Sequence, residues 1–452
     1  MSADFDVVVL GGGPAGEHCA SRLAAGGLRV AIVERELLGG ECSYWGCIPS
    51  KTLVRPGEAL QAAREAPGAR EAVGSRVDAA AAFAWRDFMV SGYDDAGQAS
   101  WAAGEGIEVL RGAGRLAGPG RVAVGAATYS ADDVVIATGS DAVIPPVPGL
   151  RELDGIWTNR EATALTEVPR RLLILGGGPV GLELGQALAR MGASVAIIEG
   201  AKHLLAREPA PLGEAVAEAL AADGVELHLG RHAASAGRDR GDYVLELADG
   251  TRLRGARLLV ATGRHARTGE LGLESVGIEP SRRGIEVDAR MNAGPGVWAI
   301  GDVTGIWPLT YVGKYQGRIA AANILGERRE ADYSAVPRVV FTDPQAAAVG
   351  ATEGSLTATV SLAGVARTAT YTRAYDSKPG FITLISDGER LTGAYAVGPE
   401  AGEWLQQATL AIRARVPLGV FGDVIQPFPT FSEVFLHALQ ELGARQPATV
   451  PA

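Results

Sequence analysis

The sequence predicts an α/β chain in which two Rossmann-like dinucleotide-binding domains precede an α+β domain, and three observations carry that prediction. The spacing GxGxxG occurs twice, at Gly11, Gly13 and Gly16 and again at Gly176, Gly178 and Gly181, each time behind a short apolar run and ahead of a helix-forming one. A glutamate closes the next apolar run in both copies, Glu34 and Glu199, and each stands 23 residues past the first glycine of its set (34 − 11 and 199 − 176). From about residue 334, strand-like segments are followed by helix-like ones, the pattern of a layered α+β domain. One fingerprint alone is a weak signal, but an internal duplication in the right βαβ context is a strong one.

Taken in order, residues 6–10 read as a strand, about 16–25 as an alanine-rich helix, and 29–33 as a second strand ending at Glu34. In that setting the glycines let the backbone approach a pyrophosphate at a helix N-terminus, and the acid accepts ribose hydroxyls. Residues 52–103 read as helices broken at Pro56, Gly57 and Pro67. Residues 107–116, 122–124 and 127–129 read as strands of a meander, and 133–136 leads into Ala-Thr-Gly-Ser at 137–140. Pro145, Pro146 and Pro148 mark a stiff connection. The second unit repeats the first, with a strand at 172–175, a helix to about Met191 and a strand at 194–198, and LVATGR at 259–264 echoes IATGS. A strand is expected from Gly284, another at 297–300 ahead of Gly301 and Asp302, and a helix at 309–323. The last domain opens with VVFTDPQAAAVG and holds GFITLI, LTGAYAVG and a helix near 403–415.

A chain of 452 residues accommodates two to four domains. Its net charge of -10 argues against a nucleic-acid surface. No charged leader with a cleavage site and no apolar stretch of spanning length is present, so a cytoplasmic protein without a membrane partner is expected. Three cysteines do not make the disulfide framework of a secreted protein, and Cys19, alone in a helical stretch, reads as a small core residue. No metal-ligand spacing occurs, so no metal site is expected.

The other two cysteines fall in GGECSYWGCIPSK, residues 39–51, with four residues between Cys42 and Cys47. If Cys47 begins a helix, free N–H groups and the positive helix end favour a thiolate there. A bend at Gly46 would let the two sulfurs meet, whereas an extended strand would keep them apart. Two inert buried thiols are the alternative; the close spacing and the neighbouring Lys51 favour redox chemistry.

GGECSYWGCIPSK resembles the GGxCxxxGCxPSK signature of the class I pyridine nucleotide-disulfide oxidoreductases, and the other motifs extend the resemblance over essentially the whole chain. The resemblance implies FAD in the first nucleotide site, with Thr138 and Gly139 against it and Asp302, after Gly301, accepting a hydrogen bond from its ribityl chain. It implies a nicotinamide nucleotide in the second, whose domain ends with the echo containing Gly263 and Arg264. Cys47 would face the flavin and Cys42 the substrate, with Lys51 and Glu183 as an ion pair beside the ring. The implied domains are 1–149 and 268–333 for FAD, 150–267 for NAD, and 334–452 for dimerisation, the last forming a homodimer and completing the partner subunit's site. Glu199 points to NADH, because a carboxylate suits a free 2′-hydroxyl and repels a 2′-phosphate; Lys202, His203 and Arg207 downstream soften that preference.

Two positions depart from the family pattern. Where members acting on dithiols carry HPTxxE, this chain has FPTFSE, so Phe428 stands at the histidine position while Glu433 is retained. Phenylalanine transfers no proton. His437, one helical turn beyond Glu433, reads as a packing or surface residue, and Pro179 stands where many relatives have a tyrosine over the flavin. The tail carries no relay cysteines. The expected function is electron transfer from NAD(P)H through flavin and Cys42–Cys47 to a small disulfide or other small-molecule acceptor. The alternatives are a dihydrolipoamide dehydrogenase-like enzyme, a quinone or metal-ion reductase, and a slow redox-sensing flavoprotein.

Overall fold

A computed structural model describes residues 3–371 and 380–445; the tail 446–452 lies outside the described residues. The chain forms two compact units: Met1–Ser50 with Ala84–Val143 and Gly263–Asp332, and Lys51–Phe83 with Ile144–Thr262 and Tyr333–Ala452.

The first unit is built on a sheet whose strands run in the order Asn292–Gly294, Val297–Ala299, Ala127–Ile136, Phe5–Leu10, Val30–Glu34, Glu108–Arg111. The inner pairs are parallel, with Val8 opposite both Ala31 and Val134. Strands covered on both faces need apolar residues throughout, and VVVL, AIV and VVI supply them: Val8, Val33, Val134 and Ile136 share one core. The strand Ala127–Ile136 is continuous where two short ones were expected, because its first half pairs antiparallel with Arg121–Val124 and its second half parallel with Phe5–Leu10. The expected 107–116 strand is instead two, Glu108–Arg111 and Gly114–Leu116, separated by Gly112 at φ 137°. No paired strand begins at Gly284, whose φ of 143° turns the chain against the Val303 carbonyl. The helices Pro14–Ala25 and Thr310–Ile324 pack closely, since a Cβ on Gly317 would come within 2.8 Å of the Ala15 carbonyl oxygen. Cys19 is wholly buried there.

The second unit holds a parallel sheet in the order Glu226–Leu229, Ser194–Glu199, Arg171–Leu175, Arg257–Val260, with the Pro179–Arg190 helix between its first two strands in sequence. Leu172, Ile174, Leu182, Val195 and Ile197 form its core. Ala233–Asp239, Asp242–Leu247 and Arg252–Gly255 add an antiparallel sheet. A five-stranded antiparallel sheet, Pro337–Val340, Gln345–Gly350, Leu391–Gly398, Phe381–Ser386 and Leu356–Ser361 in that order, carries the Gln406–Arg413 and Val434–Ala444 helices. The helix expected at 403–415 divides at Leu405 into Ala401–Trp404 and Gln406–Arg413. Pro56 and Gly57 do not break their helix either: Cys47–Glu65 runs through both, and Pro67 lies past its end. Among the described residues no helix is long and apolar enough to cross a membrane.

Candidate active site

Two phosphate cradles are built alike. Gly11 sits at φ 110° and Gly176 at φ 114°, and a Cβ at either would overlap a carbonyl oxygen, that of Ala137 or Ala261. Gly16 and Gly181 are pinned in the same way, against the carbonyls of Gly11 and Gly176. By contrast Gly13 and Gly178, the residues capping the two helices, have nothing within 4 Å of a Cβ, which leaves open space in front of unpaired helix N–H groups. Proline follows each cap, Pro14 and Pro179, at the first helical turn where a missing N–H costs nothing. The two glutamates complete the likeness. Glu34 accepts from the N–H groups of Gly12 (2.8 Å) and Glu36 (2.8 Å), and Glu199 from those of Gly177 (2.7 Å) and Ala201 (2.7 Å). Both sets therefore fit the adenosine diphosphate part of a dinucleotide.

Around the first cradle, the Ala-Thr-Gly-Ser loop is stapled by two arginines. The Thr138 hydroxyl donates to the Arg267 carbonyl at 2.8 Å, the Arg267 N–H donates to the Gly139 carbonyl at 2.9 Å, and the Arg267 guanidinium pairs with Asp141. That pairing, ahead of burial, holds the Asp141 carboxyl below the usual carboxylate range. Arg264 donates to the Ser140 hydroxyl and carbonyl at 2.8 and 2.6 Å, and the same hydroxyl donates to Asp302 at 2.6 Å. Arg264 follows Gly263, at φ 136°, and starts a strand paired with Ser140–Ala142, so it stands with Asp302 in the first unit. Gly301, at φ 76°, donates its N–H to Gln316 at 2.6 Å, which fixes the turn carrying Asp302.

The cysteine segment rests on the first cradle. The Gly39 N–H donates to the Gly12 carbonyl at 2.7 Å, and left-handed Gly40, at φ 61°, leaves room for Gly13, whose Cα would lie 2.8 Å from a Cβ there. Cys42 lies in the short helix Gly40–Tyr44 and Cys47 opens the helix Cys47–Glu65. Gly46 permits the bend, since its Cβ would stand 3.0 Å from the Glu41 carbonyl oxygen and 3.3 Å from the Cys42 Cα. The side chains of Cys42 and Cys47 meet in a hydrogen bond, and the Thr310 hydroxyl reaches both, 3.2 Å from the Cys47 Sγ. That bond to Cys47, and then burial, push the Cys42 thiol well above its ordinary pKa. Thr310 opens the helix Thr310–Ile324, and neither periodicity nor motif spacing singled it out; its position at a helix start, after the Gly301–Asp302 turn, was the available signal.

In the second unit Lys51 and Glu183 meet at 2.6 Å, the carboxylate 4 % exposed. Phe341 was missed: its N–H donates to Glu183 at 3.0 Å and its ring lies 4.6 Å from the Lys51 Nζ. Near the chain's end Phe428 is 74 % exposed, Glu433 has a buried Oε2 with no hydrogen-bond partner among the described residues, and His437 is exposed. No group of three or more His, Cys, Asp or Glu among the described residues is placed to hold a metal ion.

Comparison with known proteins shows the family of the chain. The family described as pyridine nucleotide-disulphide oxidoreductase matches residues 5–317, and that described as the pyridine nucleotide-disulphide oxidoreductase dimerisation domain matches residues 336–439. A dihydrolipoyl dehydrogenase of Thermus scotoductus is 35 % identical over 97 % of this chain and 97 % of its own length. A mercuric reductase of Acidithiobacillus ferrooxidans is 34 % identical over 97 % of this chain and 82 % of its own. Among solved structures, the Cu(II) complex of the HOCl-induced flavoprotein disulfide reductase RclA from Escherichia coli superimposes with a TM-score of 0.86 at 27 % identity, covering 97 % of this chain and 99 % of that one.

Proposed function

The chain belongs to the pyridine nucleotide-disulphide oxidoreductase family, and from that premise we propose that it carries electrons from NADH through Cys42 and Cys47 to a small acceptor needing no histidine base. It is an FAD-dependent, NAD(P)H-linked oxidoreductase of the disulfide reductase type, with that family's dimerisation domain. The observation carrying the role of the cysteines is the contact between their two side chains on a segment that rests against the first phosphate cradle. When bound, FAD supplies a redox centre that accepts hydride from a nicotinamide and passes an electron pair to sulfur. Cys47, at its helix start and beside the Thr310 hydroxyl, is the sulfur whose negative charge is favoured. Cys42 holds the remaining proton of the reduced pair and is the sulfur offered to the acceptor. Lys51, tied to Glu183, keeps a fixed ammonium that balances negative charge on the reduced cofactor. In the homodimer, Phe428 and Glu433 of each subunit would face Cys42 of the other. A cytoplasmic setting, which supplies reduced nicotinamide, suits this chemistry.

Preference for NADH is supported by the geometry of Glu199, whose two oxygens are held by backbone donors at the strand end where a 2′-phosphate would be repelled. Glu199→Gln should narrow the preference, and equal use of NADPH by the parent would remove the argument. The thiol role is tested by adding NADH anaerobically, quenching with iodoacetamide and reading the cysteines by mass spectrometry. Cys42 should be alkylated only after NADH in the parent, and with or without it in Cys47→Ser. Alkylation of the parent that ignores NADH would overturn the reading.

A second reading has its own observation, an exposed, proton-inert Phe428 five residues before Glu433, whose Oε2 has no hydrogen-bond partner among the described residues. Quinones and soft metal ions take electrons without a thiolate having to be protonated; one relative is named mercuric reductase, and one structural neighbour is a Cu(II) complex. NADH turnover with a quinone, Cu(II) and a small disulfide, compared side by side, separates the two readings.

A further inference from the structure

Three side chains along one face of the Pro179–Arg190 helix, Glu183, Gln186 and Arg190, all grip the same short segment, Phe341–Asp343. Glu183 accepts the Phe341 N–H at 3.0 Å. Gln186 accepts the Asp343 N–H at 2.8 Å through its Oε1 and donates to the Asp343 carbonyl at 2.8 Å through its Nε2. Arg190 donates to the Asp343 carboxylate at 2.7 Å and to Asp223 at 3.0 Å. Glu183 and Gln186 are fully buried, and Arg190 is nearly so. Burying the Glu183 carboxylate, the Gln186 amide and most of the Arg190 guanidinium, with Asp223 and Asp343 partly exposed, is costly unless every member is well placed, and the usual return is a fixed geometry rather than net stability.

What the network fixes is the ammonium of Lys51. Glu183 reaches it with Oε2 at 2.6 Å while its other oxygen is occupied by the Phe341 N–H, and the Phe341 ring covers the ammonium from 4.6 Å. The helix bearing Lys51 is pressed onto the same network further along, since a Cβ on Gly57 would stand 3.0 Å from the Arg190 Cδ. We propose that Phe341 is a positioning residue for Lys51, held in register by Gln186 and Arg190, so that the segment opening the dimerisation domain sets where that positive charge sits. This rests on the reading that Lys51 serves the reduced cofactor.

Acylation of Lys51 by an N-hydroxysuccinimide ester, followed by mass spectrometry on flavin-free and flavin-loaded protein, measures how tightly the ammonium is held. Phe341→Leu keeps the N–H and removes the ring; it should raise the Lys51 acylation rate about threefold or more in both forms, with Phe341→Tyr restoring the parental rate. Asp343→Asn, which loosens the segment without touching the ring, should act in the same direction more weakly, and it serves if the leucine variant does not fold. Parental acylation rates in the variants would overturn the proposal. The midpoint potential of the bound flavin separates the two levels: Phe341→Leu should lower it and Phe341→Tyr should not. If acylation rises while neither Phe341→Leu nor Glu183→Gln moves the potential, the positioning stands and the role of Lys51 towards the cofactor falls.

Discussion

Phe428 presents its ring to solvent and offers no proton, while Glu433 keeps an oxygen without a hydrogen-bond partner among the described residues. Phe428→His should raise oxidation of dihydrolipoamide with NAD⁺ by about 10²-fold and give it a pH dependence in the imidazole range, leaving quinone reduction nearly unchanged. Steady-state rates across pH check this, and rapid dithiol oxidation by the parent would count against it. Glu17 offers a second test. Burial pushes its carboxyl from 4.5 up to about 7, with Lys314 opposing and Glu34 adding to the rise. The folded protein then binds this proton more tightly than the unfolded chain, so the group's contribution to stability is present below its unfolded pKa and is lost as pH rises through about 7. Glu17→Gln should therefore melt above the parent at about pH 8, the gap closing by about pH 5, and parallel melting curves would contradict the assignment. Residues of this kind divide by legibility. Phe428 and Glu199 could be read because a motif or a strand end gave them an address. Thr310, Phe341 and Gln186 could not, since each acts through a contact made more than a hundred residues away in the chain.

The βαβ elements were legible almost to the residue, because strands buried on both faces tolerate only apolar residues and the glycines of a phosphate loop have no substitutes. The failures lie where tertiary contact overrides a local signal. Pro56 sits inside a continuous helix, Gly112 divides a strand, and two predicted strands fuse into Ala127–Ile136 because different halves have different partners. The antiparallel sheet of Ala233–Asp239, Asp242–Leu247 and Arg252–Gly255 went unassigned, its strands mixing charged and small residues without clean alternation. The paired cradles allow a matched experiment at this scale. Gly11→Ala and Gly176→Ala each force a Cβ onto a carbonyl oxygen at a left-handed φ. The first should yield protein with little flavin; the second should keep its yellow colour and lose nicotinamide binding by about tenfold or more. Absorbance and nucleotide titration read the two outcomes, and equal flavin content in both variants would show the cradles are not specialised as assigned.

For the molecule as a whole, the dimerisation domain leaves Leu410, Val420, Val424, Ile425 and Phe428 exposed, Ile425 at 94 %. Large apolar side chains left exposed on a dimerisation domain are expected beneath a partner subunit. Ile425→Asp would place a charge there at a cost on the order of a few kcal/mol and should shift sedimentation from dimer towards monomer; an unchanged dimer would place the subunit contact elsewhere. Composition and charge limited the partners but not the acceptor, because the surface that meets an acceptor is assembled from side chains of distant segments. The duplicated cradle has a further consequence. The part of a dinucleotide that the glycines and the glutamate read is its adenosine diphosphate half, and that half meets the same local surroundings twice in one chain. Flavin-free protein should therefore take up about two molecules of ADP per chain in a calorimetric titration, and the flavin-loaded protein about one. The fingerprints alone then do not tell FAD from a nicotinamide nucleotide: that choice falls to the loops beyond them, and free ADP is a competitor for both places.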